Sequence, residues 1–214
     1  MPSPAAPTVV GVLLAAGLSR RLGQPKQLVV LAGRPLVWHS ARAMLDAVPS
    51  GGVLVVVPPG PLGAQVRAAL AGLDLRFTES PAPELGISES FRAAIRALPP
   101  HTGAASFALG DMPLVSAAMH RSVLDAYAGT NAPLVLARFD TGGGAVRAPP
   151  HLFRADLFAH FDQIGDHGPR QLIAEYAAQS EWIELPGWAL RDLDTPEDIA
   201  GMEAALLERA DSGS

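Results

Sequence analysis

Cysteine is absent from the 214-residue sequence, and this excludes disulfide bonds and thiolate metal sites within the chain. A chain without cysteine is compatible with a reducing compartment. Long apolar runs are missing too, because the run over 9–16 falls well short of the roughly eighteen residues that a membrane span needs. Residues 1–7 carry no basic side chain, so we expect no signal peptide and a cytoplasmic protein without membrane contact.

Excess positive charge is also absent. Sixteen lysine and arginine residues stand against 21 aspartate and glutamate residues, which gives a formal net charge of −5. This balance argues against broad nucleic-acid binding, because no basic field would collect phosphates along a duplex. A hydrophobic fraction of 49% suits a globular chain with a substantial core. We expect a single domain over 1–214, with loose ends at 1–7 and 210–214.

Two common phosphate-binding patterns are missing from the glycine-rich stretch near the amino end. Gly11, Gly17 and Gly23 are six residues apart, so the dinucleotide pattern G-x-G-x-x-G is absent. The P-loop pattern G-x-x-x-x-G-K-[ST] fails as well, because Gly17 and Gly23 are one residue too far apart and Gln24 stands where the lysine belongs. Dehydrogenase and ATPase interpretations therefore lose support.

The same stretch nevertheless has the composition of a phosphate-binding loop. An apolar run ends at Ala15 and Ala16, and Gly17 is followed by a serine, two arginines and a Pro-Lys pair. Glycine lets the backbone approach a ligand, backbone N–H groups can ring an anion, and Arg21 and Lys26 supply positive charge. We predict a polyphosphate site at the carboxyl end of a buried strand, and a plain tight turn is the alternative.

Strand-like and helix-like segments alternate along the chain. Strands are predicted over 8–15, 52–57, 73–78, 104–109, 132–139, 145–148, 181–185 and 190–193. Helices are predicted over 35–47, 61–71, 87–98, 116–128 with Ser116 as cap, 154–161, 169–178 and 196–209. This alternation predicts an α/β fold of three layers, with helices on both faces of a mainly parallel, mixed sheet. Ligands of such folds bind at the carboxyl ends of the strands.

Three aspartates are candidate metal ligands. Asp111 comes directly after the predicted strand 104–109, and Mg²⁺ takes one or two carboxylates together with phosphate oxygens and water. Asp192 and Asp194 alternate along the end of the predicted strand 190–193, so both would point to one side, where a cation relieves their repulsion. Capping of the following helix is the alternative role for Asp111 and for Asp194.

The amino-terminal loop resembles a known signature. Its sequence is Leu14-Ala15-Ala16-Gly17-Leu18-Ser19-Arg20-Arg21-Leu22-Gly23-Gln24-Pro25-Lys26, and it resembles the pattern L-A-A-G-x-S-x-R-x-G-x-P-K of nucleotidyltransferases. Within that superfamily the chain is similar to the molybdenum cofactor cytidylyltransferases over about residues 9–205. Supporting segments in the expected order are 110–113, 165–170 and 192–198. The resemblance implies a Rossmann-like nucleotidyltransferase fold.

The resemblance also implies an activity and a site. The activity is Mg²⁺-dependent transfer of CMP from CTP to the terminal phosphate of a molybdopterin-type cofactor, with release of pyrophosphate; a molybdenum hydroxylase or its chaperone is an implied partner. Arg21, Lys26 and Asp111 would be catalytic, and Asp111 would bind the metal together with Asp192 or Asp194. The nucleotide would contact Leu14, Ala15, Ala16, Gly17, Ser19, Arg21, Lys26, Ser88, Ser90 and Asp111. For Ser88, a plain helix cap is the alternative.

The resemblance has one departure and leaves rivals open. Cytidylyltransferases of this kind often carry Gly-His-Pro before Leu-Phe, whereas Pro149 stands here in place of that histidine and His151 follows two positions later. Acceptor recognition is thus less firmly implied than nucleotide binding. Ala15-Ala16 favours cytosine over guanine, but GMP transfer and cytidylyl transfer to a sugar or polyol phosphate remain alternatives. A rival of another class is a cofactor carrier that has lost turnover.

Overall fold

The computed structural model of the chain describes residues 8–18, 24–48, 52–191, 193 and 196–212. The strands are β1 (Thr8–Leu14), β2 (Val30–Leu31), β3 (Arg34–Pro35), β4 (Val53–Val57), β5 (Leu75–Glu79), β6 (Thr102–Leu109), β7 (Leu134–Asp140), β8 (Ala145–Arg154) and β9 (Glu181–Pro186). The helices are α1 (Leu36–Ala47), α2 (Gly60–Ala69), α3 (Ile87–Ala97), α4 (Ala117–Thr130), α5 (Arg170–Tyr176) and α6 (Pro196–Ser212). Among these helices none is both long and apolar enough to cross a bilayer.

Seven of these strands form one mixed sheet in the order β5-β4-β1-β6-β8-β7-β9. The pairs β5–β4, β4–β1, β1–β6 and β7–β9 are parallel, and β8 pairs antiparallel with both β6 and β7. The strands β2 and β3 form a separate short hairpin. The predicted mainly parallel, mixed sheet is confirmed, and it brings the carboxyl ends of β1 and β6 side by side.

Alternation along the buried strands gives the sheet two apolar faces. On β1, Val10, Val12 and Leu14 pack into the cluster that contains Phe91 of α3, whereas Leu13 packs on the opposite face with residues of α1 and α2. Helices therefore cover both faces, as predicted for a three-layer α/β fold. Gly11 lets α1 approach closely, because a Cβ there would lie 2.8 Å from the sulfur of Met44.

The carboxyl-terminal third differs from the prediction first in β8 and in the segment that follows it. β8 continues to Arg154 where the sequence predicts only 145–148, because His151 to Phe153 pair with both β6 and β7 and Arg154 pairs with β6. Pro149 and Pro150 lie beside the register irregularity of that ladder, where a strand tolerates proline. A 3₁₀ helix over Ala155–Gln163 replaces the predicted α-helix.

The predicted strand over 190–193 is wrong for the residues that the structure describes. β9 ends at Pro186, and the chain forms a 3₁₀ turn over Gly187–Leu190. A side chain cannot occupy position 187, since its Cβ would lie 2.0 Å from the carbonyl oxygen of Asp140. α6 then runs to Ser212, three residues past the predicted end, and the sequence has no glycine or proline between Gly201 and Gly213. Residues 1–7 and 213–214 lie outside the described residues.

Candidate active site

A cavity of about 200 Å³ lies at the carboxyl ends of β1 and β6. Gly110, directly after β6, donates its N–H to the carbonyl of Leu14 at 2.8 Å, which joins the two strand ends. A Cβ at position 110 would lie 3.0 Å from the Cβ of Ala15, so glycine allows this close approach without a shift of the neighbouring strand. The residue after it, Asp111, thereby projects from a fixed strand end into the cavity.

Lys26 and Asp111 meet in this cavity. The Lys26 Nζ lies 3.8 Å from a carboxylate oxygen of Asp111. Lys26 is 4% exposed, whereas the side chain of Asp111 keeps 41% of its accessible surface. A buried ammonium beside a solvent-facing carboxylate is suited to hold a phosphate group on one side and a cation on the other.

The 3₁₀ turn over Lys26–Leu28 fixes this lysine. The next residue, Gln27, is buried and donates its side-chain N–H groups to the carbonyls of Gly17 at 2.5 Å and Ala15 at 3.4 Å. These contacts join the turn to the end of β1. The loop between the end of β1 and this turn contains Ser19 and Arg21, which lie outside the described residues.

The structure brings together six of the predicted nucleotide contacts. The cavity is lined by Leu14, Ala16, Gly17, Lys26, Ser90 and Asp111. It is also lined by residues that the sequence analysis did not single out as contacts, among them Gln27, Pro83, Gly86, Ile87 and Leu109. Ala15 and Ser88 do not line it. Ala15 is buried against Gly110, as described above.

Ser88 has a different environment from the one that the resemblance implies. It is 1% exposed, its hydroxyl donates to the carbonyl of Gly165, and it accepts the N–H of Gly168 at 3.2 Å. Both hydrogen-bonding functions of the hydroxyl are thus taken up by a distant loop. The neighbouring Ser90 does line the cavity, and its hydroxyl donates to Ser80 at 3.3 Å.

The metal ligands can be followed only in part. Asp111 lies in the cavity, whereas Asp192 and Asp194 are outside the described residues. The strand on which their alternation depended is absent from the described part of 190–193. Within the residues that the structure describes, no three Asp, Glu or His side chains form a metal-binding group. One carboxylate beside a phosphate-sized cavity fits a Mg²⁺ ion that keeps its water and phosphate ligands, because Mg²⁺ is usually held that way.

A second cavity of about 570 Å³ adjoins the first, and Ile87 and Leu109 line both. Its walls come from β7, β8 and β9, from α3 and the end of β6, and from α5 with the loop before it. The cationic residues that line it are Arg138, Arg147 and Arg170. His151 and His167 line it as well, and Phe91 and Trp182 provide aromatic surface. The described lining contains no carboxylate. Such a chamber suits an anionic ligand with a flat ring system.

Two of these arginines face each other across the β7–β8 ladder. Arg138 is the register partner of Arg147, and like charges directly opposite each other destabilise a sheet. Glu184 on β9 is the other register neighbour of Arg138 and accepts a hydrogen bond from its Nε. The guanidinium of Arg138 also lies 5.5 Å from the ring centre of Trp182. An anion bound between Arg138 and Arg147 would relieve the remaining repulsion.

His151 contributes no positive charge to this cavity at neutral pH. Burial lowers its pKa to about 4, and the nearby Arg147 charge acts in the same direction. Its Nδ1 lies 3.0 Å from the carbonyl of Pro150 and 3.3 Å from the backbone N of Ala137. Pro149, which stands in place of the expected histidine, lines the cavity two residues earlier on the same strand. His167 lines the cavity as well.

Known proteins share parts of this sequence. A curated relative, the bifunctional protein GlmU of Sphingopyxis alaskensis, is 34% identical over 131 residues, which cover 60% of this chain and 28% of that protein. The chain therefore spans little more than a quarter of the length of the curated relatives it matches.

Solved structures share the fold across nearly the whole chain. Rv0371c from Mycobacterium tuberculosis has a TM-score of 0.77 at 24% identity, covering 94% of this chain and all of that one. Its complex with manganese has a TM-score of 0.65 at 23% identity, covering 86% of this chain and 90% of that one. A CMP:2-keto-3-deoxy-manno-octonic acid synthetase with CTP has a TM-score of 0.73 at 14% identity, covering 94% and 99%.

These likenesses confirm the predicted Rossmann-like nucleotidyltransferase fold. A family model described as the MobA-like NTP transferase domain matches residues 11–180. That range contains every residue that lines the first cavity and all but Trp182 of those that line the second. Because the match extends over most of its length, the chain belongs to the MobA-like NTP transferases, a family of nucleotidyltransferases.

Proposed function

We propose that this protein transfers CMP from CTP to the terminal phosphate of a molybdopterin-type cofactor and releases pyrophosphate. The observation that supports it most is the adjacency of two cavities, which share Ile87 and Leu109 as lining residues. One holds Lys26 beside Asp111, and the other is lined by three arginines and no described carboxylate. A nucleoside triphosphate in the first would present its α-phosphorus toward an anionic acceptor in the second.

The proposed reaction is an in-line displacement. An oxygen of the acceptor phosphate forms a bond to the α-phosphorus of CTP, the bond from that phosphorus to the bridging oxygen breaks, and pyrophosphate leaves. A phosphate oxygen is already ionised at neutral pH, so no strong general base is required. Alignment of the two substrates and neutralisation of their charges supply the rate enhancement.

The residues of this chain have distinct parts in that scheme. Lys26 donates hydrogen bonds to phosphate oxygens of the nucleotide, and its burial makes the contact strong. Asp111 holds the divalent cation, which when bound supplies positive charge to the phosphate oxygens. Arg138 and Arg147 bind the acceptor phosphate, and Trp182 offers its ring to a flat heterocycle. Arg21, Ser19 and either Asp192 or Asp194 complete the nucleotide and metal sites.

The choice of nucleotide, metal and acceptor draws on the sequence and on similar proteins. The L-A-A-G pattern favours cytosine, and the similar synthetase structure contains CTP. Mg²⁺ is the proposed cation, and the manganese complex of Rv0371c shows a divalent cation with a similar fold. The molybdopterin-type acceptor follows the sequence resemblance, and the aromatic and arginine surfaces of the second cavity suit it. Delivery of the product to a molybdenum hydroxylase belongs to the same proposal.

The test is pyrophosphate release with each nucleoside triphosphate, with Mg²⁺, and with either the molybdopterin cofactor or a sugar phosphate as acceptor. We expect turnover that requires CTP and the molybdopterin cofactor together. Turnover confined to GTP would end the cytidylyl assignment, and turnover confined to the sugar phosphate would end the acceptor assignment.

Asp111→Ala distinguishes an enzyme from a carrier. We expect kcat to fall by about 10²–10³-fold, as for loss of one preorganised electrostatic contact, and the Mg²⁺ dependence of CTP binding to disappear. Asp125→Ala is the matched control, because Asp125 is an exposed carboxylate on α4 away from both cavities, and it should behave as the unmodified protein. If Asp111→Ala left cofactor delivery to a partner intact, the protein would be a carrier.

A further inference from the structure

One segment of the second cavity is attached to the wall of the first. The loop over Ile164–Gly168, here called the anchored loop, runs directly into α5 and brings His167, Gly168, Pro169 and Arg170 to the second cavity. This loop contacts the start of α3, and Gly86, Ile87 and Ser90 at the start of α3 line the first cavity. The loop and the start of α3 are about 80 residues apart in sequence, so tertiary contacts alone join them.

Three hydrogen bonds join the anchored loop to α3. Ser88 donates to the carbonyl of Gly165 and accepts the N–H of Gly168, as described above. Arg92, one turn later, donates to the carbonyl of Ile164 at 2.6 Å and is fixed by an ion pair with Glu89 at 2.5 Å. The Ser88 hydroxyl is buried and forms hydrogen bonds to Gly165 and Gly168, near the two ends of the anchored loop. It therefore determines the position of the residues between them.

Steric contacts favour the same arrangement. Gly86 has φ +105° just before α3, and a Cβ there would lie 2.8 Å from the carbonyl oxygen of Asp166. Gly168 has φ +76°, and a Cβ there would lie 3.2 Å from Ile87. Glycine at both positions lets the loop lie directly on the helix, with no side chain between the two backbones.

We propose that Ser88 is a positioning residue for the acceptor, which holds the anchored loop so that Arg170 and His167 stay at the second cavity. The inference rests on the proposed function, because it assigns the second cavity to the acceptor. In this proposal Ser88 positions the anchored loop and does not contact the nucleotide. Without the hydroxyl, the carbonyl of Gly165 and the N–H of Gly168 lose their partner, and the loop samples positions in which Arg170 leaves the cavity.

The first measurement is backbone amide hydrogen exchange in the full chain. In Ser88→Ala we expect the peptide that contains 165–170 to exchange about tenfold faster, while peptides from β1 and β6 keep their rates. Ser122→Ala is the matched control, because Ser122 donates its hydroxyl to Met119 within α4, and it should leave 165–170 unchanged. Unchanged exchange in Ser88→Ala would show that the hydroxyl does not hold the loop.

The second measurement separates positioning from general damage. In Ser88→Ala we expect the KM for the molybdopterin cofactor to rise about tenfold, while the Kd for CTP measured without acceptor stays within about twofold. Ser88→Thr keeps a hydroxyl and should recover most of the acceptor KM. Arg92→Gln, which loses the contact to Ile164, should raise the same KM to a smaller extent.

Each remaining outcome has a distinct meaning. A parallel loss of CTP affinity and acceptor affinity would make Ser88 a general structural residue and overturn the proposal. If amide hydrogen exchange in Ser88→Ala is faster but the KM for the acceptor is unchanged, the anchored loop is not part of the acceptor site. If the unmodified protein does not use CTP and the molybdopterin cofactor, the proposed function fails together with the positioning role; if it does and Ser88→Ala is kinetically normal, only the positioning role fails.

Discussion

Replacing Lys26 by methionine should remove activity while leaving stability nearly unchanged. Lys26 is 4% exposed, and its Nζ lies 3.8 Å from Asp111. At an effective dielectric constant of about 20, this pair attracts by about 4 kcal/mol. Taking the ammonium out of water costs several kcal/mol and offsets that attraction, while Asp111 still reaches solvent. We therefore expect K26M to change the free energy of unfolding by less than about 1 kcal/mol.

Activity responds differently, because the charge is needed when phosphate is present. Loss of one buried cation that meets the reacting phosphates should lower kcat/KM by about 10²–10³-fold. Pyrophosphate release measures that change, and urea unfolding measures stability on the same preparation. Lys26 is the only lysine in the sequence, so amine-directed labelling reports on it and the amino terminus alone, and CTP should protect it.

Arg42→Met is the matched control for this experiment. It removes a cation from the exposed Arg42–Asp46 pair on α1, which has a separation of 2.5 Å and lies outside both cavities. Its expected cost is below about 0.5 kcal/mol, with normal activity. A K26M protein that is destabilised by more than about 2 kcal/mol would make Lys26 a structural cation. Normal activity in folded K26M would remove it from the reaction altogether.

Two further predictions follow from burial and backbone geometry. Burial lowers the pKa of His120 and of His151 to about 4, so between pH 6.5 and 4 the unfolded chain binds protons that the folded chain does not. As the pH is lowered from 6.5 to 4, the free energy of unfolding should therefore decrease by up to about 3 kcal/mol per histidine, as measured by urea unfolding. H120L should remove about half of this pH dependence, and a free energy of unfolding that does not change with pH would contradict the prediction. G86A should destabilise the fold by about 2 kcal/mol or more, because its Cβ would contact Asp166, whereas G72A, at φ +87° with open space around it, should cost about 1 kcal/mol; equal thermal shifts would refute the steric argument.

Local sequence patterns predict the fold well where strands are buried on both faces. Residues 53–57 form an unbroken apolar run, and the structure pairs them in parallel with β1 and β5. Caps are equally local: the Ser116 side chain accepts the N–H of Met119, as predicted from its place before α4. Both features depend on residues within one turn or one strand, so the sequence alone contains the information.

Prediction fails where pairing with distant residues decides the structure. Pro149 and Pro150 indicate a loop when read locally, yet the chain continues as β8 because residues on both sides of them pair with β7. Conversely, 190–193 has a strand-like composition, but Gly187 turns the chain against the carbonyl of Asp140, and no described strand follows. Propensity is a weak guide when tertiary contacts compete with it.

The paired charges of the first cavity could be predicted from local sequence motifs, whereas the lining of the second cavity could not. Lys26 and Asp111 are predictable because each follows directly from a motif at the end of a parallel strand, and the sheet order then brings them together. The lining of the second cavity comes from four strands, two helices and a loop that are scattered between Ile87 and Trp182, and no motif joins them. Ser88 shows the limit of prediction from sequence, because its sequence context indicates either a helix cap or a nucleotide contact, whereas its hydroxyl bonds the distant Gly165 and Gly168.

The direction of β8 explains why the arginine-lined second cavity adjoins the cavity that holds Lys26 and Asp111. An antiparallel strand between β6 and β7 starts at the edge of the sheet where its two neighbours end. Arg147 near the start of β8 therefore meets Arg138 near the end of β7, and both lie at the same edge as Asp111, which follows β6. A parallel strand in that place would carry Arg147 to the opposite edge, away from Lys26. The single reversed strand of the described sheet thus places Arg138 and Arg147 beside the cavity that holds Lys26 and Asp111, and this placement follows from topology and not from any local motif.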